Sequence, residues 1–276
     1  MPRPGYDAPI KSHVENNMTH PTITVSATGH VSTITLNRPG SLNAFNAQQR
    51  AELLTAVTDA NAHADGRVVI ITGAGKGFCA GADLAEKIPD GQTVEQRIND
   101  EYKPILLGIA ESPKTYIAAV NGVAAGIGGS LALACDLVVM QDTAYLFQAF
   151  SAIGLIPDGG ISLHLSQTIG PKKAFEVMAL GQKLTADECA RLGLINRVSA
   201  AGQLMDDCDA LAMQLCERAP LSLRYTKEVM RSVAGKPLGK AISIEAKTQL
   251  ITNQSDDFKE GKAAFIEKRK AVWKGC

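Results

Sequence analysis

The chain has 276 residues, 45% of them hydrophobic, with Lys+Arg and Asp+Glu each numbering 28. That length can bury a substantial core, in one large domain or two smaller ones, and the balanced charge implies neither a nucleic-acid stripe nor an anionic-membrane surface, although a neutral total can still hold a local patch. No apolar run reaches bilayer length, and the opening MPRPGYDAPIKSHVENNMTHPT lacks a signal-peptide apolar centre, so a cytoplasmic protein without a membrane partner is expected. Cysteines at 79, 135, 189, 208, 216 and 276 form no CxxC pair and mostly sit in apolar stretches. They read as reduced thiols, with neither a disulfide frame nor a metal site.

Residues 1–20 mix Pro, Gly, Asn and charge without periodicity and predict a mobile tail. Order is expected from Thr22. ITVSATGHVSTITL alternates apolar and polar residues around Thr-Gly-His, a hairpin signal, and AFNAQQRAELLTAVTDANAHA then carries helical spacing. The same order recurs in RVVIITG with FCAGADL and a helix near 93–111, in TYIAAVNG with a glycine turn and SLALAC, and in DLVVMQ, AYLFQA and GGISLHLSQTI. Such recurrence predicts an α/β fold of β-β-α units wound into a superhelix. After Pro171 every segment reads as helix, giving a core over 21–200 and a helical region over 201–276. Phe258, Phe265 and Val272 recur every seven residues there, an amphipathic face for packing on its own domain or on another subunit.

ITGAGKGFCAGADL and NGVAAGIGGSLALACD place glycines between an apolar strand and a helix. Neither is a nucleotide loop, because Gly77 follows Gly75-Lys76 where a P-loop needs Ser or Thr, and GIGGSL is not GxGxxG. Two physical readings stay open. The glycines bring a ligand to backbone N–H groups at a helix N-terminus, or they only allow close packing of strand and helix.

FCAGADL, NGVAAGIGGSLALACD, IGLIPDGG and KLTADECARLGLINRV, in that order, resemble the signature blocks of the crotonase superfamily, the enoyl-CoA hydratase/isomerase family. The resemblance runs from about Thr22 to the C-terminus. It implies an acyl-CoA substrate, with coenzyme A as part of the substrate and no separate cofactor, and a homotrimer or dimer of trimers built on the C-terminal helices. It also implies an oxyanion hole for the thioester carbonyl at the backbone N–H groups of Ala82 and Ile127. By the same resemblance Leu42, Ala44, Ala80, Asp83 and Leu84 line the CoA path, and Phe265 and Lys268 reach its adenine and phosphate end. Gly126, Gly128, Ser130, Phe150 and Gly154 are implied with them as substrate- or CoA-binding positions.

Family hydratases carry two glutamates where this chain has Ser130 and Phe150. Two acids are the common way to activate water on one side and protonate carbon on the other, so efficient hydration is not expected. Asp158 remains, at the position where family isomerases that shift a 3-enoyl bond, or rearrange a ring epoxide, hold one acid. An apolar surround of Leu146, Phe147, Phe150, Ile153 and Leu155 is expected to raise its pKa. Pro157-Asp158-Gly159 is also a turn signal in which the acid only bonds backbone. The expected activity is acyl-CoA isomerisation through Asp158, against weak hydration or a non-catalytic acyl-CoA scaffold. His164 is expected to be a hydrogen-bonded core histidine, and Cys79 an inert buried thiol.

Overall fold

A computed structural model of the chain describes Met18, Thr19 and residues 22–276. The tail expected over 1–20 otherwise lies outside the described residues. Met18–Thr19 (β1) departs from that expectation, pairing antiparallel with Thr24 and Val25 at the edge of a sheet. Ile23–Thr28 (β2) and Val31–Leu36 (β3) form the expected hairpin, closed at Gly29 with φ of 59°. Asn46 then caps Ala47–Ala62 (α1) by accepting the N–H of Gln49.

From here a three-element unit repeats. Val68–Gly73 (β4) is buried at every residue, as its unbroken apolar run requires of a parallel strand covered on both faces. The chain turns sharply into Gly77–Cys79 (β5) and then helix: Val94–Arg97 (α2), a π-helical turn over Ile98–Tyr102, and Lys103–Ala110 (α3). Thr115–Val120 (β6), Val123–Ala125 (β7) and Ile127–Ala134 (α4) repeat the pattern, as do Leu137–Gln141 (β8), Tyr145–Phe147 (β9) and Ile161–Ile169 (α5). The first strand of each unit joins a seven-stranded sheet, the second a four-stranded sheet. Pairing is parallel from β3 through β4 and β6 to β8, and from β5 through β7 to β9.

Pro171–Leu180 (α6), Ala186–Arg191 (α7), Leu204–Cys216 (α8), Pro220–Val233 (α9), Leu238–Asn253 (α10) and Asp256–Glu267 (α11) supply the expected helices. Two strands after Pro171 do not fit an all-helical reading. Lys183–Thr185 (β10) closes the small sheet against β9, and Arg197–Ser199 (β11) extends the large one beside β8. Three-residue strands are too short to show a period of two. The seven-residue spacing of Phe258, Phe265 and Val272 is not one helix face, because α11 ends at Glu267 with Lys268 in the left-handed region at φ of 55°. Val272 belongs to the tail that Asp257 holds by accepting the N–H groups of Lys274 and Gly275.

One apolar core fills the space between the sheets and α1, α3 and α4, and a second lies under α8 through Leu204, Cys208, Leu211 and Ala212. The thiols at 79, 135, 189, 208 and 216 are buried and free. No described helix is long and apolar enough to cross a membrane.

Lys227 of α9 reaches into the domain, donating to the carbonyls of Ile109 (2.8 Å) and Lys114 (3.2 Å) and to the carboxylate of Asp136 (2.8 Å). Asp136 also accepts the N–H of Tyr116, and burial raises its pKa even beside the ammonium. Lys227→Met should therefore strand a desolvated carboxylate and destabilise the fold by about 2–4 kcal/mol, read from the urea midpoint. An unchanged midpoint would show that α9 is held by apolar contact alone.

Candidate active site

Two backbone turns meet where β5 ends and α4 begins. Gly81 takes φ of 101°, and a Cβ there would lie 3.0 Å from the carbonyl oxygen of Ala125. Gly126 stands before α4 at φ of 51° and ψ of −127°, a region essentially closed to other residues. Inside the first turn of α4, a Cβ on Gly128 would lie 2.3 Å from the carbonyl oxygen of Cys79. The two chain segments thus touch backbone to backbone.

The amides around these turns are used selectively. Phe45 pairs with Ala82 in a single parallel bridge, through Phe45 N–H to Gly81 O (2.7 Å) and Asp83 N–H to Phe45 O (2.9 Å). Gly126 N–H bonds Phe147 O, while the N–H groups of Gly129 and Ser130 bond Gly126 O. Among the described residues, no protein acceptor takes the N–H of Ala82 or of Ile127, the first residue of α4. Two free donors on abutting turns, one at a helix N-terminus, suit an anionic oxygen. Gln148, fully buried, donates weakly to Gly126 O (3.4 Å) and helps fix the second turn.

Asp158 stands beside α4. Its carbonyl accepts the Ser130 hydroxyl (2.9 Å), and a Cβ on Gly159 would collide with Ile127 Cδ1 and Ser130. The Asp158 carboxylate is partly buried, and its Oδ1 has no hydrogen-bond partner among the described residues. Loss of solvent pushes its pKa up to about 6, against a smaller downward pull from its own backbone amide. The expected cause is right and the expected lining is partly wrong. Leu146 is buried, but Ile153 and Leu155 are more than half exposed because the chain turns outward after the 3-10 turn Phe150–Ile153. What crowds Asp158 is α4.

Leu42, Ala44, Ala80, Asp83 and Leu84 do come together. Ala80 N–H bonds Leu42 O (2.9 Å), and Arg38 bonds both the Ala44 carbonyl and the Asp83 carboxylate. Leu84 is exposed beside them. Asp83 is thereby a brace between two loops, with Arg38 holding its pKa below the usual carboxylate range. Phe150 lies against Gly126, its ring carbons 3.5 Å from where a Cβ would stand, and exposed Gly154 ends that turn in the left-handed region. Phe265 and Lys268 are exposed on and just after α11, which packs on α10.

Cys79 is fully buried with its pKa pushed up to about 12, so it stays a thiol. His164 is only half-buried, its pKa lowered by burial, and its ring makes no hydrogen bond among the described residues. The expected bonded core histidine is not found, because α5 exposes that face. Sequence reasoning also passed over Arg38, Arg50, Tyr102 and Gln148. Arg38 stood in plain view before the Leu42 block, whereas Arg50 and Tyr102 are single polar residues within helical elements and Gln148 one in the loop after β9, and none carries a local signal.

The family model for enoyl-CoA hydratase/isomerase matches residues 26–276. A protein described as a probable enoyl-CoA hydratase of Rhodobacter capsulatus is 36% identical over 91% of this chain and 97% of its own. The 1,2-epoxyphenylacetyl-CoA isomerase of Escherichia coli is 35% identical over 89% of this chain and 95% of its own. A solved enoyl-CoA hydratase of Bacillus anthracis superposes with a TM-score of 0.86 at 32% identity, over 92% of this chain and all of the other. With its stacked β-β-α units and these relatives at full length, the chain belongs to the enoyl-CoA hydratase/isomerase family, the crotonase superfamily.

Proposed function

We propose that this protein is an acyl-CoA isomerase that works through one acid/base, Asp158. The observation that carries this reading is the Asp158 carboxylate itself: partly buried, unpartnered at one oxygen, and set against the helix whose first amide is free. Positions 130 and 150, where two acids would serve hydration, hold a serine bonded to the Asp158 carbonyl and a phenylalanine packed on Gly126.

In this mechanism the thioester oxygen of a 3-enoyl-CoA lies between the N–H groups of Ala82 and Ile127. Asp158 takes a proton from C2, and the electron pair passes through the C1–C2 bond to give a dienolate whose charge rests on that oxygen. The protonated Asp158 returns the proton at C4, moving the double bond from C3–C4 to C2–C3. Each preorganised amide supplies about 2.7–4 kcal/mol as charge develops. A pKa near 6 suits a group that must accept and then give one proton near neutral pH. The Escherichia coli relative's name supports a ring-epoxide thioester as a second substrate class for the same machinery. Exposed Leu42 and Leu84 and half-buried Ala80 support a wall along which the CoA would run, whereas Ala44 is buried and could serve only from behind it.

Asp158→Asn should keep acyl-CoA binding and lose about 10²–10⁴-fold in isomerase turnover. The wild-type rate should fall with a single proton below about pH 6. The linkage sign is set by a folded pKa above the unfolded value of 3.8: the carboxyl's burial costs nothing in acid, and stability is lost as pH rises through about 6. Asp158→Asn should thus be more stable than wild type by about 1–3 kcal/mol at pH 7 and no more stable at pH 3.5. Retained turnover, or a stability difference independent of pH, would make Asp158 a turn residue.

The relatives named as hydratases favour a second reading, hydration of enoyl-CoA by this same site. Crotonyl-CoA hydration by the pure protein should be slow, and a kcat in the range of an efficient hydratase would reverse the order of the two readings. If neither reaction occurs and acyl-CoA still binds, the chain is a scaffold. The family reading also supports a homotrimer or dimer of trimers, which would cover Leu238, Leu250, Phe265 and Val272, all exposed in the single chain. Light scattering at micromolar concentration should give three or six times the chain mass, and a monomer would remove the proposal.

A further inference from the structure

Each of the two free amides belongs to a peptide unit whose carbonyl, on the opposite edge, is already bonded. Every described peptide bond is trans, so the C=O and N–H of one unit point in opposite directions, and whatever holds the carbonyl aims the N–H. In the unit Gly126–Ile127, the Gly126 carbonyl takes the N–H groups of Gly129 (3.0 Å) and Ser130 (3.2 Å), both in α4, and a weak bond from Gln148 (3.4 Å). A helix start therefore stands behind the Ile127 donor.

The Ala82 donor has no helix behind it, since the next one in the chain, α2, begins only at Val94. The carbonyl of Gly81 takes the Phe45 N–H (2.7 Å). That N–H belongs to the unit Ala44–Phe45, whose carbonyl accepts Nη1 of Arg38. Guanidinium, two peptide units and the free Ala82 N–H thus form one file, donor to acceptor throughout, and Ala82 is exposed at its end. Polarisation passes along such a file: a cation on the first carbonyl strengthens the next N–H as a donor, by about 10–30% per bond.

The loop around Arg38 is shaped for this contact. The Arg38 N–H bonds Asn43 Oδ1 (2.8 Å), and Asn43, fully buried, donates to the carbonyls of Ala74 (3.0 Å) and Gly77 (2.8 Å). Leu42 and Asn43 both take positive φ, 49° and 58°, an uncommon pair for residues with side chains, and the turn they make puts the Ala44 carbonyl within reach of Arg38. The other guanidinium nitrogen, Nη2, pairs with Asp83 Oδ2 at 2.9 Å. Asp83 follows Ala82 in the chain, and its bond from Arg38 holds its pKa below the usual carboxylate range, so it is an anion at neutral pH. Unpaired, that anion would oppose negative charge gathering at the Ala82 amide.

We propose that Arg38 is a positioning residue that strengthens the oxyanion hole through the Ala44–Phe45 and Gly81–Ala82 peptide units, its charge acting on the thioester oxygen without touching the substrate. This rests on the oxyanion-hole reading above and deepens it: the Ile127 donor is backed by a helix, the Ala82 donor by a cation.

The test reads the thioester carbonyl directly. Butyryl-CoA is saturated and has no double bond to shift. It is isotopically labelled at its carbonyl carbon, and the isotope-edited infrared spectrum gives the stretch of that bond in the complex. In wild type the stretch should lie below its value in water, because the two amides draw charge onto the oxygen. Arg38→Gln keeps a neutral donor and should show a smaller downshift, with 3-enoyl-CoA isomerisation about tenfold slower in kcat and the Kd for butyryl-CoA within about threefold of wild type. Arg38→Lys restores the charge and should restore the downshift. A merely structural Arg38 would move the melting temperature or the Kd but not the stretch. The full downshift in Arg38→Gln overturns the proposal, and so does its loss in Arg38→Lys, so either variant decides if the other fails to fold. Wild type that binds butyryl-CoA with no downshift sinks the oxyanion hole and this proposal together. An Arg38-dependent downshift without isomerase turnover sinks the isomerase reading alone.

Discussion

The contact between the Cys79 carbonyl and the Cα of Gly128 sets the distance on which the candidate site depends. A single methyl at 128 would stand 2.3 Å from that oxygen, and one at Gly122 would stand 2.1 Å from the carbonyl of Lys76. Neither neighbour is a flexible side-chain end. Both are backbone carbonyls, of β5 and of the turn before it, so the two units meet backbone to backbone at these points. That closeness brings the amide of Ala82 next to that of Ile127, from segments 45 positions apart. The rest of the architecture holds them there: parallel β5, β7 and β9 fix the spacing of successive turns, and Arg38 ties the outer loops together.

The same packing explains why the Asp158 carboxylate is partly buried and yet unpaired at Oδ1. Its loop is held through the carbonyl, by Ser130, and through the missing side chain at Gly159, so the carboxylate is left without a protein donor at Oδ1. A carboxylate held by two or three donors would have a low pKa and would be a poor base. Here desolvation acts with only its own amide opposing it, and the pKa rises to about 6. The carboxylate of Asp83, bonded to Arg38 and to Ala85 N–H, shows the opposite arrangement and the opposite shift.

Much of the fold was legible because each unit repeats one order of patterns: an apolar run, a second short strand after glycine, then helical spacing. The fully buried run VVIITG and the Thr-Gly-His hairpin are local signals, and the structure follows them. What was not legible is decided by pairing partners far away. RVS becomes a strand because β8 leaves an open edge for it, and nothing within KLT distinguishes a strand from the start of α7. At the site, the glycine blocks were visible in sequence, but the role of Arg50 was not, because its fully buried guanidinium is defined by Glu86 and Glu101, 36 and 51 positions away.

Ser130 shows how the candidate site differs from a two-acid site in kind. Its hydroxyl is 2.9 Å from the Asp158 carbonyl, and its Cβ would be 2.8 Å from any Cβ at 159. A glutamate at 130 could not make that contact, since a carboxylate repels a carbonyl oxygen, and its longer side chain would drive the 157–160 loop away from α4. It would also place a second negative charge beside Asp158 where solvent is scarce, forcing one of the two to stay protonated. Serine at 130 is a residue that lets a glycine-flanked loop close on α4, with the Asp158 carbonyl bonded and its carboxylate unpartnered at Oδ1.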